Sequence, residues 1–487
     1  MSLDQTRAIG AGMRTRYRRS SSGSGQSGGA AGAPLSRARM VVVCLALLLE
    51  GMSASGINVQ IAAMRDEVGI GSAELALVAS AFLIAYAGLL PIAGSLADTL
   101  DRRRVFLLGI ALFGVGCLVC AFAPEAWVLV AGRLVQGAGA ALSAPAALAL
   151  ITEGLPSGAA RNRAVALYGA MGAVGFSLGL VVPGVVVTLF GWRASFLVSI
   201  PVVLAVLAAT WRIRAGRTRS TERPDVLGAV LLTAGLMIGV HLVGAIGRMS
   251  ALVAGIELAV FGVVVIALIA RRGVRGFPSG VVRSPGVRSA CLALAGVFAG
   301  VVASMYVLSL GLVESGATAL VVALLILPQP LAFSMLAGTG ARLVTRIGAR
   351  PTVAIGAAVL VASLAWLGFV GLAVPPWVGV LPAMLGVGCS LALAFPAVSV
   401  AAVDAAPEEA RATTAGLLTT AQNIGGAVGI ALVTTAGLVP GVGEPVGIEP
   451  AMFVSALFVV VAMVAAAGVG AARHRSRQTQ TEAGATR

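Results

Sequence analysis

Three ionisable residues interrupt long apolar runs of the sequence. Glu50 lies within "LALLLEGMSASGINVQ", Arg133 follows Glu125 by eight residues, and Glu257 lies within "AGIELAVFG". A charge at the centre of a bilayer costs roughly 2.5–3.5 kcal/mol on insertion scales, so a charge retained there usually has a function. A buried carboxyl can take up and release a proton, whereas an arginine stays charged. If these runs cross a membrane, Glu50 and Glu257 are candidates for proton coupling, and Arg133 is a candidate for a functional buried charge.

Glu50 is placed near the middle of its run. It follows Arg39 by 11 residues, which corresponds to roughly 16 Å of helix. Ser53 lies one turn further, and Asn58 and Gln60 fall on a nearby helical face. The favoured interpretation is that Glu50 exchanges a proton from this face. The alternative is a protonated or helix-bonded acid without a mechanistic role.

Arg133 must be paired or face water if it lies within a membrane. Gln136 follows it by one turn, and Gly137 permits a close helix contact. A functional role for this charge and a role as a buried hydrogen-bond anchor both remain open at this point. Five polar residues in the apolar runs are candidates to line a substrate cavity: Ser53, Asn58, Gln136, Gln422 and Asn423.

The composition is typical of a membrane protein with many spans. Of the 487 residues, 58% are hydrophobic and 11% are charged, whereas soluble domains carry about 25% charged residues. The net charge of +15 comes from arginines spread over short loops and tails, so nucleic-acid binding is not expected. Cys117 and Cys120 form a C-x-x-C spacing without a nearby histidine or acid. No metal or cofactor is therefore expected.

Apolar runs of about 20 residues follow one another, and each can cross roughly 30 Å of hydrocarbon. We place fourteen of them, which predicts an all-α polytopic membrane protein. The predicted spans are 40–63, 74–97, 105–123, 127–151, 164–188, 194–211, 226–246, 250–270, 289–311, 317–338, 352–373, 378–402, 413–437 and 451–471.

The distribution of basic residues predicts the orientation of these spans. With the amino terminus inside, 30 of the 34 basic residues, all of them arginine, fall on the cytoplasmic side. Arg65, Arg193 and Arg248 fall outside, and Arg133 lies within a span. Because cytoplasmic loops carry an excess of basic residues, we expect both termini to be cytoplasmic and the protein to lie in the cell membrane.

Short signals recur at an offset of about 250 residues. Gly175 and Gly179 recur as Gly425 and Gly429 at an offset of 250. Two related six-helix halves around a central cavity are the architecture of many secondary transporters. The predicted organisation is a disordered cytoplasmic tail (1–37), a first six-helix half (38–212), two inserted transmembrane helices (213–272), a second half (273–472) and a cytoplasmic tail (473–487).

Four motifs resemble those of the major facilitator superfamily. "GSLADTLDRRR" (94–104) resembles its loop signature G-x-L-A-D-R-x-G-R-R/K, and "RLVQGAGAA" (133–141) resembles R-x-x-Q-G-x-G-x-A of its fourth helix. "FGWRASFLVSIPV" (190–202) is similar to the start of its sixth helix. "AGLLTTAQNIGGAVGIAL" (415–432) resembles the thirteenth helix of the 14-span drug–proton antiporter branch. The resemblance covers about 38–472.

The resemblance implies a major facilitator fold and a transporter rather than an enzyme. It implies a proton-coupled exporter of small, largely apolar compounds such as drugs or antibiotics, with Arg133 in a proton relay. The expected partners are a small-molecule substrate, protons and the lipid bilayer, and a monomer is expected. The resemblance assigns no coupling role to the two inserted helices, so Glu257, about midway along the second of them, ranks below Glu50.

Two departures from the family pattern leave an alternative open. Ser53 stands where the first helix of the branch usually carries an aspartate. Leu180 and Pro183 stand where its fifth helix usually carries proline and glycine. Uncoupled or import-direction transport of a small organic solute therefore remains a second reading. Small or rigid residues are assigned to helix packing: Gly137, Gly175, Gly179, Pro183, Gly425 and Gly429.

The loop signature also has a physical reading. Asp98 lies close to Arg102 and Arg103 at a tight turn between two spans. A carboxylate opposite arginines at a helix end can hold one conformation and release it in another. We expect these three residues to act as a conformational latch. Simple topology signalling explains the arginines but leaves Asp98 unexplained.

Overall fold

In the computed structural model, most of the described residues are helical and none of them lies in a strand. The structure describes 37–485 except for 100, 154, 156–157, 212–224, 246–248, 272–280, 282–283, 407–409 and 437–447. The predicted tail 1–37 therefore lies almost wholly outside the described residues. The helices are α1 (Arg37–Val68), α2 (Ser72–Thr99), α3 (Arg102–Ala121), α4 (Ala126–Thr152), α5 (Ala159–Leu197), α6 (Ser199–Thr210), α7 (Val226–Gly244), α8 (Ala251–Ala270), α9 (Pro285–Glu314), α10 (Ala319–Ile326), α11 (Pro328–Ile347), α12 (Ala349–Phe369), α13 (Pro376–Asp404), α14 (Arg411–Thr435) and α15 (Ile448–Ala485).

Thirteen helical stretches of the described chain are long and apolar enough to cross a membrane. One of them, Ala159–Thr210, has 52 residues, or roughly 78 Å of helix, which is more than twice the thickness of a bilayer core. It breaks at Gly191, where φ is 82° and ψ is 167°, a conformation that glycine adopts without strain. Counting this stretch as two spans gives fourteen, and each predicted span overlaps one of them.

The helices form two bundles, and the same helix contact occurs in each. In the first bundle α5 packs on α1, and a Cβ added to Gly179 would lie 2.5 Å from Met52 Cα. In the second, α14 packs on α9, and a Cβ on Gly429 would lie 2.8 Å from Ala299 Cα. Gly175 against Leu48 repeats as Gly425 against Ala295. These contacts need glycine because the two backbones touch.

A second repeated contact joins α4 to α2 and α13 to α11. A Cβ on Gly137 would clash with the Phe82 backbone, and a Cβ on Gly388 would clash with the Gln329 backbone. The glycines are 251 residues apart and their partners 247 apart. The two bundles therefore share their helix arrangement as well as their motifs, as expected for an internal repeat.

Helices α7 and α8 form a hairpin that stands beside both bundles. α7 packs against α2 of the first bundle and α14 of the second. Thr435 on α14 donates a hydrogen bond to the Val243 carbonyl on α7. Arg271 at the end of α8 binds Asp225 before α7 at 2.6 Å, which closes the hairpin. α8 presents most of its surface outward, as an apolar helix does when lipid is its solvent.

The bundles touch at the end where α1 finishes and α2 begins, here named the Glu67 end. Arg65 Nη1 binds Glu314 Oε1 at 2.8 Å, joining α1 to α9. The Leu320 amide donates to Thr188 Oγ1 at 3.1 Å, joining α10 to α5. The opposite end, where α2 leads into α3, is named the Arg102 end. The described ion pair between the bundles thus lies at the Glu67 end.

Candidate functional site

A cavity of about 160 Å³ lies between the two bundles. Its wall comes from α1, α2, α4 and α5 on one side and from α9 and α14 on the other. Most of the wall is apolar, with Phe176 and Phe298 on opposite sides. A cleft between repeats is where such folds bind their ligands. Its polar wall residues include Asn58, Arg133, Gln422 and Asn423.

Three of the five residues predicted for a cavity therefore line it, namely Asn58, Gln422 and Asn423. The other two, Ser53 and Gln136, lie behind the wall and border a smaller space of about 20 Å³ with Gln60, Ser195 and Ser199. Both contact Arg133 from there. Ser53 and Gln136 therefore hold the arginine in place, whereas Arg133 itself lines the larger cavity.

Arg133 is 1% exposed and is held by neutral oxygens. Its Nη1 donates to Ser53 Oγ at 2.8 Å, to the Ser53 carbonyl at 3.3 Å and to Gln136 Oε1 at 3.1 Å. Its guanidinium carbon lies 5.0 Å from the centre of the Phe82 ring, within the range of a cation–π contact. Nε has no hydrogen-bond partner. Among the described residues, neutral groups alone fix the arginine in place.

Local sequence explains how α4 brings this charge into the bundle. Gly132 and Gly139 lie on either side of Arg133, and a Cβ on either would clash with α3. This close approach also brings Gln136 to Cys117, whose Sγ accepts from Gln136 Nε2 at 3.0 Å. The sequence gives no sign of this contact, because a thiol in an apolar run does not indicate a polar neighbour.

Glu50 occupies a separate polar site on α1. It is 5% exposed, and its Oε1 accepts a hydrogen bond from Ser143 Oγ on α4 at 2.9 Å. Its Oε2 is buried without a hydrogen-bond partner. Nearby, the Tyr168 hydroxyl donates to the Ala144 carbonyl at 2.9 Å. Glu50 does not line the cavity described above.

The sequence suggested that Glu50 and Ser53 serve one site from neighbouring turns. The structure separates them, because Ser53 meets Arg133 and Glu50 meets Ser143 on the same helix. Arg133 and Ser143 are ten residues apart, or roughly 15 Å along α4. Ser143 was missed, since a serine in the Ala- and Gly-rich "GAALSAP" carries no hydropathy signal.

Glu257 lies away from the cavity, between the two helices of the α7–α8 hairpin. Its Oε2 is 2.9 Å from His241 Nδ1, and the His241 ring meets the Trp127 ring edge-on at 6.2 Å. Glu257 is six residues from Ala251, the first residue of α8. The expected position midway along the span is therefore corrected to its first third, and the side chain is 26% exposed.

The predicted latch is described only in part. The side chain of Asp98 lies outside the described residues. Asp101 caps α3 by accepting from the Arg103 amide at 2.9 Å, and Arg103 donates to the Trp211 carbonyl. Arg102 begins α3 and is half-buried. The described contacts of Arg103 thus join the turn to the end of α6.

Pro183 packs on α1 in the place where the family pattern has glycine. It approaches Gly56, where an added Cβ would lie 3.3 Å from the Pro183 ring. Leu180, where proline was expected, is fully buried. The altered fifth-helix motif therefore keeps a close contact with α1.

The sequence is similar to a known protein family, to individual relatives and to solved structures. The profile of the Major Facilitator Superfamily matches residues 43–430. Puromycin resistance protein pur8 of Streptomyces alboniger is 32% identical over 419 residues, or 81% of this chain and 80% of that protein. Cephamycin export protein CmcT of Amycolatopsis lactamdurans is 37% identical over 202 residues, or 41% of this chain and 42% of that protein. The chain thus matches about two fifths of the length of that second relative.

A solved structure shares the fold at much lower identity. A peptide transporter POT, crystallised with sulfate, is 16% identical with a TM-score of 0.67, covering 93% of this chain and 99% of that one. At this low sequence identity, the similarity supports a shared fold and nothing further. The family profile covers most of the sequence, and a relative is matched over four fifths of both lengths. The chain therefore belongs to the Major Facilitator Superfamily and is a multi-pass membrane transporter, not an enzyme.

Proposed function

We propose that this transporter exports small, largely apolar compounds in exchange for protons. The observation that carries the proposal is the cavity between the bundles, whose wall is mostly apolar with a few amides and one arginine. Such a wall suits ligands that bury apolar surface and make few hydrogen bonds. The relatives whose names state export or resistance support the outward direction.

Two buried groups support a role for protons. Glu50 has a carboxylate oxygen without a partner, and a carboxyl in such a place is a proton carrier by its chemistry. Arg133 lies on the same helix as Ser143, the hydrogen-bond partner of Glu50. Movement of α4 during alternating access would change both environments together.

A second reading has its own support. Within the described residues no carboxylate lines the cavity, and Ser53 occupies the place beside Arg133 where the family carries an acid. Without an acid at this point, uncoupled or import-direction transport of a small organic solute is possible on the same fold.

An efflux assay with a compound panel tests the proposal. Cells that make the protein should hold less of at least one test compound than cells without it. An uncoupler should raise the retained amount to the level of the control cells, because it removes the proton gradient. Retention that is lower but insensitive to the uncoupler supports the second reading, and higher retention indicates import.

The orientation makes a separate prediction, since we infer that the Arg102 end faces the cytoplasm. Single cysteines at Ser20 and Gln480 should be labelled by an impermeant maleimide only after the membrane is permeabilised. A cysteine at Gly443 should be labelled in intact cells. Labelling of the two tails on opposite sides of the membrane would contradict fourteen spans.

A further inference from the structure

Arg133 carries a buried positive charge that no acidic side chain among the described residues neutralises. Its described hydrogen bonds go to a serine hydroxyl, a backbone carbonyl and an amide oxygen, all of them neutral. Within the described residues it forms no ion pair. Its Nε has no partner although the side chain is 1% exposed. A buried charge is costly unless an opposite charge or water reaches it.

The cavity is the place from which an opposite charge can reach this arginine. Arg133 is part of the cavity wall, and the other wall residues are neutral. The buried acid Glu50 is hydrogen-bonded to Ser143 and is not part of that wall. The Glu257 carboxylate is paired with His241 in the α7–α8 hairpin. The described protein therefore leaves one positive charge facing an enclosed space.

We propose that the compound carried in this cavity is a small monoanion, an apolar body with one carboxylate that docks on Arg133. The inference rests on the proposed export function and names its substrate class. A guanidinium presents paired N–H donors that match the two oxygens of a carboxylate. Because the anion neutralises a charge that is already buried, its binding free energy is more favourable here than at an exposed arginine.

The rest of the wall fits the apolar body. Ile57, Phe176, Phe298 and Met305 line the same space, and its volume is about 160 Å³. An apolar cavity of about 150 Å³ in another protein holds one benzene molecule. A single aromatic ring with a carboxylate is therefore a suitable probe of the cavity in this conformation.

Three probes of nearly equal shape and different charge test the inference. Benzoate, benzamide and benzamidinium carry charges of −1, 0 and +1 on the same ring. Their binding to the purified full-length protein is measured in detergent at pH 7 by calorimetry, without any gradient. Benzoate should bind at least tenfold more tightly than benzamide, and benzamidinium should bind most weakly.

Two substitutions assign the preference to this charge. Arg133→Gln should reduce the ratio of the binding affinity for benzoate to that for benzamide to about one. Ser53→Asp keeps the arginine and places a carboxylate where Ser53 Oγ now lies, 2.8 Å from Nη1, so it should remove the preference in the same way. Gel filtration and circular dichroism check that each variant is folded. If Arg133→Gln does not fold, Ser53→Asp decides the question.

Equal binding of the three probes by the parent protein, or no binding at all, overturns the inference. A benzoate preference that persists in folded Ser53→Asp also overturns it. Because the measurement is made at equilibrium, an efflux assay that fails to show proton coupling leaves the charge preference standing. Conversely, coupled efflux by a protein without charge preference would refute this inference alone.

Discussion

Replacing Glu50 with glutamine is expected to reduce efflux driven by a pH gradient to the level of vesicles without the protein. Gln keeps the size of the side chain and can accept the hydrogen bond that Ser143 now donates at 2.9 Å, but it cannot carry a proton. Because the two side chains are nearly equal in size and both accept this hydrogen bond, no large rearrangement is expected. The measurement is uptake into inverted vesicles after an imposed pH jump.

Downhill exchange of substrate should survive in the same variant, because the cavity wall does not include Glu50. The matched control is Glu449→Gln, the same chemical change at an exposed position, which should pump like the parent. Adding Ser53→Asp to Glu50→Gln places an acid beside Arg133, so it should restore part of the driven efflux of a neutral compound, but not that of an anion that docks on Arg133. Gradient-driven pumping by Glu50→Gln at the parent rate would show that Glu50 is a passive buried acid.

Gly425→Ala should destabilise the protein by about 1–3 kcal/mol, the usual cost of overpacking. The added Cβ would lie 2.6 Å from Ala295 Cα, so α9 and α14 would have to separate. This expected loss of stability is opposite in sign to the effect of helix propensity, which favours Ala over Gly by about 1 kcal/mol. The measurement is the thermal unfolding midpoint in detergent.

Gly416→Ala is the matched control on the same helix. A Cβ there meets nothing within 4 Å, so helix propensity should dominate and the midpoint should stay or rise. The pair Gly179→Ala and Gly169→Ala repeats the comparison on α5. If Gly425→Ala and Gly416→Ala shift the midpoint equally, the close contact between α9 and α14 is not limiting for stability.

The spans could be predicted from the sequence because the bilayer fixes their length and excludes charge. Apolar runs of 20 residues and the placement of arginines located all fourteen of them. Helix ends were less well predicted, as α11 continues to Ile347 where the predicted span stopped at 338. The length of an apolar run reflects the thickness of the membrane, but the helix can continue into the water beyond the membrane.

The candidate site was predicted in part. Asn58 and the Gln422–Asn423 pair stand out as polar residues in apolar runs, and they line the cavity. The contact between Glu50 and Ser143 could not be read in advance, since it depends on how α1 crosses α4. The same holds for His241 and Glu257, which meet because two helices are adjacent. Spacing along one helix does not reveal a partner on another.

The position of α7 between α2 and α14 bears on how compounds dissolved in the bilayer reach the protein. Two bundles that lie side by side are in contact along two lines, one on each flank of the protein. Lipid acyl chains can lie next to each of these lines. The α7–α8 hairpin stands on one of these lines, because α7 packs against α2 and α14. On the other line α5 meets α10 without a described helix in front of them. If a compound enters sideways from the lipid leaflets, we therefore expect it to approach from the α5 flank.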